Sequence, residues 1–105
     1  MNIEYKIGVV KKSLNDIFFR SKRIIEDTDN GYITCDPDVL DAYKKTVRKM
    51  EAAADILDDQ ERFIIENEVF SKNDGSWYKL YYSKSYYYRV RKMAFKNYLD
   101  CLRWI

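Results

Sequence analysis

Ile3, Ile7, Val10, Leu14, Ile17, Ser21 and Ile24 recur at alternating spacings of four and three residues. That rhythm suits one face of an α-helix and no strand, so the first quarter of the chain is a long amphipathic helix with one polar position in its seam. Val9, Phe18 and Ile25 widen the stripe toward the broader face of a globular helix. Asp27-Thr28-Asp29-Asn30-Gly31 ends it, with Asn30 or Gly31 suited to a left-handed cap. A second seam, Leu40, Tyr43, Val47, Met50, Ala54 and Leu57, follows Asp36-Pro37. Asp36 is placed to cap that helix and Pro37 to occupy its first turn, where a missing N–H is harmless. Two matching stripes and a short connection predict an antiparallel helical hairpin over residues 1–57.

The rest of the chain reads as three further helices. Asp58 with Glu61 has the spacing of a capping box and starts a third helix, expected to bury Phe63, Ile64, Val69 and Phe70 and to end near Ser71. Lys72-Asn73-Asp74-Gly75 is a strong turn signal. Ser76 is then expected to cap a short helix from Trp77 to about Tyr81, and Ser83 or Ser85 a long final helix. In that last helix Tyr87, Val90, Ala94, Tyr98, Cys101 and Ile105 share a stripe. Trp77 is expected to anchor the short helix on the third one. With 105 residues, three Gly and one Pro, the chain is one all-α domain, a hairpin (1–57) followed by a three-helix unit (58–105).

Composition narrows the function. There is no His, no Gly-rich phosphate loop, and the carboxylates at 55–61 sit where capping accounts for them, so the chain is not expected to be an enzyme. Cys35 and Cys101 are isolated, which predicts two reduced thiols and argues against a zinc site, and no metal or cofactor is implied. No apolar run is long enough to span a membrane and no signal-peptide pattern opens the chain, so a cytoplasmic location is expected. Charge is polarised. From Lys72 onward eight Lys/Arg face Asp74 and Asp100, a net of +6, whereas residues 1–71 carry 11 basic and 15 acidic residues, a net of −4.

The basic end has the makeup of a helix-turn-helix, with Trp77–Tyr81 as the helix crossing the backbone and Tyr82-Ser83-Lys84 as the turn. Tyr87, Val90, Ala94 and Tyr98 would face inward. Lys84, Ser85, Tyr88, Arg89 and Lys92 would face outward, the first four of them to read the major groove, while Lys79, Arg91 and Lys96 would hold phosphates. Tyr86, Tyr87 and Tyr88 point three ways on a helix, so at least one ring is exposed. Leu57, Glu61-Arg62, Ile64-Ile65, Trp77, Leu80, Ser83, Tyr87, Val90, Ala94 and Phe95 together resemble region 4 of sigma-70-type factors, including the Ser83-to-Ala94 interval. The aromatic turn is similar to small sigma-region-4-like proteins of mycoplasmas and Gram-positive phages. The resemblance covers residues 54–102. It implies a transcription regulator bound to double-stranded DNA, with RNA polymerase as a further partner. Two positions depart from the family: Ser76-Trp77-Tyr78 replaces a Glu-Ile-Ala type core, and Tyr81 stands where a small turn residue is common. The N-terminal hairpin offers an apolar face for a homodimer. The competing expectation is a helical protein–protein interaction module that binds polymerase or a phage protein without touching DNA.

Overall fold

The computed structural model describes the backbone of residues 3–104 and the side chains of residues 6–104. Among these the fold is all-α: α1 (Ile3–Asp29), α2 (Pro37–Ile56), α3 (Asp59–Glu68), a single 3-10 turn (Trp77–Leu80) and α4 (Lys84–Trp104). Local chemistry sets the boundaries. α1 ends where Gly31 takes a left-handed φ of 77°, which lets the Tyr32 N–H reach back to the Asp27 carbonyl at 2.8 Å. Asp36 caps α2 by accepting the Asp38 N–H at 2.9 Å, with Pro37 in the first turn. Asp58 caps α3 by accepting the Glu61 N–H at 2.8 Å, and that bond holds its carboxyl below the usual carboxylate range. Of the two serines, Ser83 serves α4, its Oγ accepting the Tyr86 N–H at 3.4 Å.

One core joins all four helices. It holds Ile7 and Phe18 of α1, Val47, Met50, Ala53 and Ala54 of α2, Ile64 and Ile65 of α3, and Ala94, Phe95 and Tyr98 of α4. α1 packs mainly on α2, and α4 on α3 and α2. The α1 seam departs from expectation. Ile7 and Ser21 are buried as the seam requires, and Phe18 and the half-buried Ile25 of the widened stripe pack on the core, whereas Ile17 and Val9 are exposed. A straight helix turns every 3.6 residues, so a strict 3.5-residue pattern drifts off the buried face within a few turns. Ile3 lies outside the described side chains, as does Ile105 of the last stripe. Cys35 and Cys101 are free, half-buried thiols. No described helix is long and apolar enough to cross a membrane.

The region after α3 also differs. α3 stops at Glu68, not near Ser71, because Asn15 of α1 donates to the Val69 and Ser71 carbonyls at 2.9 and 3.0 Å and holds the chain in a non-helical path. A lone 3-10 turn replaces the expected short helix, and Ser76 gives it no side-chain cap: its hydroxyl donates to Asp74 Oδ1 instead, at 2.7 Å. Aromatic rings fasten this turn. Tyr78 stacks on Tyr87 with planes 3° apart and centroids at 3.8 Å, and Trp77 meets Phe63 edge-on at 5.7 Å, anchoring the turn on α3. Tyr81 adopts an ordinary φ of −120° and leans on Phe63 at 5.1 Å, so a bulky residue fits without strain.

Ala94 has no exposed surface, so added volume there must push into the core. Ala94→Leu should lower stability by roughly 1–3 kcal/mol through overpacking, read as a shifted denaturant midpoint. Leucine is a good helix former, so loss of stability there would report packing and not propensity.

Candidate nucleic-acid interface

α4 presents two opposite faces. Tyr87, Arg91, Ala94, Phe95 and Tyr98 are buried. At 100° per residue, Ser85, Arg89, Lys92, Lys96 and Arg103 fall within a sector about 60° wide on the far side. All five are exposed. No Asp or Glu occurs between Lys84 and Leu99. Arg89 is steadied by the Tyr86 ring, 5.2 Å from its guanidinium carbon, and the Tyr86 hydroxyl accepts a bond from Gln60 Nε2 at 2.8 Å. Lys84 is exposed about a quarter-turn from the stripe, and Lys79 is exposed on the preceding 3-10 turn. Of the expected outward set, Tyr88 is only half-exposed, because its ring leans on Tyr87 at 5.1 Å and Tyr78 at 6.3 Å. The three consecutive tyrosines do diverge: Tyr86 out, Tyr87 in, Tyr88 between.

Arg91 does not hold the flank expected of a phosphate contact. It is 8% exposed, with Nε 2.8 Å from Glu68 Oε1. Glu68 is itself 1% exposed and also pairs with Lys11 of α1, Nζ to Oε2 at 2.7 Å, and accepts a hydrogen bond from the Tyr87 hydroxyl. The physical reason is coverage: three donors surround one carboxylate, so the guanidinium is more favourably placed inside than in solvent. The sequence carried a signal for this. Arg91 stands four residues after Tyr87 and three before Ala94, and Glu68 four after Ile64, so both lie within apolar stripes.

A second source of positive charge was hidden in the −4 sum of residues 1–71. Lys6, Lys11, Lys12, Arg20, Lys22 and Arg23 stand against Asp16 alone over residues 6–23, a net of +5. Averaging α1 with the acidic α2 and α3 concealed it. The negative groups gather elsewhere, at capping positions such as Asp36 and Asp58, and at Glu61, whose Oε2 accepts from Asn97 of α4 at 2.6 Å. Burial raises the Glu61 carboxyl above its usual range, opposed by that Asn97 bond. Among the described residues no group of three or more His, Cys, Asp or Glu forms a metal-binding cluster.

Glu68→Ala should cost roughly 3–5 kcal/mol, because it removes the buried carboxylate that Arg91, Lys11 and the Tyr87 hydroxyl all meet. Denaturant unfolding would measure it, and an exposed control such as Glu66→Ala should change little. A second expectation concerns high pH. Burial, then Glu68, pushes the Tyr87 phenol far above the tyrosine range, and burial does the same for Tyr98, whose hydroxyl donates to the Met50 carbonyl at 2.9 Å. Their contribution is intact below about pH 10, the unfolded value, and is lost as pH rises beyond it. Tyrosinate absorbance should therefore show late titration that coincides with unfolding, diminished by Tyr87→Phe or Tyr98→Phe.

Set beside known protein families, curated proteins and solved structures, the chain matches none of them.

Proposed function

We propose that this chain binds double-stranded DNA through the outer face of α4 and acts in transcription regulation. One observation carries the reading: the exposed stripe Ser85, Arg89, Lys92 and Lys96, which runs for about 16 Å along the helix and meets its first carboxylate only at Asp100, one turn beyond Lys96. An α-helix of 10–12 Å diameter suits a major groove about 12 Å wide. In this reading Arg89 and Ser85 reach base edges, Lys84 and Tyr88 flank them, and Lys79, Lys92 and Lys96 neutralise phosphates. The resemblance to sigma region 4 supports the same assignment, and RNA polymerase, a homodimer through the N-terminal helices and a cytoplasmic location belong to the same proposal.

A second reading, a protein-interaction module without DNA contact, is favoured by a different observation. Leu80, Tyr81 and Trp104 are 88%, 61% and 85% exposed, and Ile7, Val10, Met93, Phe95 and Leu99 line an apolar groove of about 410 Å³ between α1 and α4. Exposed apolar side chains and an apolar groove, here rimmed by Lys6, Lys92 and Lys96, are features that protein partners use.

Selection from a random duplex pool, followed by anisotropy titration over a range of salt, separates the two. DNA binding predicts an affinity that falls steeply with salt. It also predicts a loss of roughly 1–3 kcal/mol for Arg89→Ala at the selected site, and a salt slope about one unit shallower for Lys96→Ala. If the unmodified chain shows no salt-dependent duplex binding, DNA recognition fails as its function and the apolar groove becomes the surface to probe.

A further inference from the structure

The apolar groove of about 410 Å³ lies between the first half of α1 and the middle of α4. Ile7 and Phe95 are buried and form its floor. Val10, half-buried, lines the α1 side. Met93 and Leu99, 50% and 39% exposed, line the α4 side. An apolar slot whose walls stand partly in water gains free energy when an apolar group covers it.

The rim supplies a second, independent observation. Lys6, Lys92 and Lys96 border the groove, and all three are exposed. Among the described residues none of their ammonium groups is in an ion pair. A lysine in such a place lays its methylene stem along the apolar wall and holds its charge at the water's edge. The groove therefore offers grease below and uncommitted cations above.

We infer that this groove binds a fatty acid of medium chain length, its alkyl chain against Ile7, Met93, Phe95 and Leu99 and its carboxylate among the rim ammonium groups. Small-molecule sites of this kind lie between the helices of a bundle, are mostly apolar, and use a few charged groups to fix orientation. The dimensions agree. From Lys92 to Leu99 α4 rises about 10 Å, and an extended alkyl chain advances about 1.25 Å per carbon, so eight carbons run the length of the groove. A methylene is close in size to a water, about 30 Å³, and eight of them enter whole. Two turns of a partner α-helix, 10–12 Å across, would fill roughly 900 Å³, about twice the space on offer. The inference uses no contact with DNA, so it stands apart from the function proposed above.

The test uses the full chain and sodium octanoate. Backbone amide shifts are followed by NMR as octanoate is added, against sodium acetate at matched concentration. Saturable shifts confined to residues around 6–10 and 92–99 are expected with octanoate and not with acetate. Each methylene from hexanoate to octanoate should tighten binding roughly fourfold, with the gain levelling off beyond about ten carbons, where the groove is full. Met93→Gln combined with Leu99→Gln should weaken octanoate binding roughly tenfold. Val39→Gln with Ile56→Gln, similarly exposed on α2, should leave it unchanged. Lys92→Gln with Lys96→Gln should abolish the preference for octanoate over 1-octanol. Octanoate shifts that merely match those with acetate, an affinity that climbs with chain length without limit, or a groove variant that binds octanoate as the unmodified chain does, overturn the inference. Binding to phosphatidylglycerol vesicles without binding to the monomeric acids also overturns it and gives the groove to a membrane. Binding to neither leaves it to a protein segment. The chain-length series needs no variant and so does not depend on any variant folding.

Discussion

Glu68 is the group on which the arrangement of helices turns. It ends α3, lies out of solvent, and meets Lys11 from α1 and both Arg91 and Tyr87 from α4. Dehydrating a carboxylate is costly by several kcal/mol, and only close, well-aimed partners offset it. Apolar attraction has no preferred direction, whereas an ion pair at 2.8 Å fixes both distance and direction. By holding Arg91 inward, Glu68 sets the rotation of α4. Arg89, Lys92 and Lys96 are outward as the geometric complement of that constraint.

Aromatic packing performs the matching task for the segment between α3 and α4. The 3-10 turn is too short to be stable alone. It is clamped by the Tyr78–Tyr87 stack on one side and by Trp77 and Tyr81 against Phe63 on the other. Such ring pairs contribute about 0.5–1.5 kcal/mol each beyond the area they bury. Tyr87 takes part in both systems, stacked on Tyr78 and bonded to Glu68, so the ring clamp and the charge cluster share a residue.

What the sequence made legible follows the range over which each feature is encoded. Caps at Asp36 and Asp58 and the α2 stripe from Leu40 to Leu57 depend on neighbours a few residues away and were readable, while the cap of α4 and the left-handed residue after α1 were each narrowed to two neighbours, of which Ser83 and Gly31 take the role. Ser85, Arg89, Lys92 and Lys96 could be placed outward from helical periodicity alone, whereas Lys84 shares the angular sector of Tyr87 and Arg91 and is exposed as the first residue of α4. Arg91 could not, because its position is decided by Glu68, 23 residues earlier in the chain, and a charged residue is ordinarily assigned to solvent. The end of α3 escaped for the same reason: Asn15, more than 50 residues distant, takes its carbonyls. Summing charge over 71 residues concealed the basic half of α1, since such a sum discards the order in which charges occur.

α1 has 27 residues and α2 has 20, a difference of about 10 Å of helix. The longer rod therefore has a stretch that α2 does not accompany, and Lys11 and Asn15 tether α1 to the end of α3. Those tethers bind three helices at one point, since Glu68 of α3 meets Lys11 of α1 and Arg91 of α4. A change that loosens that point therefore frees the first and last helices together, and not one of them alone.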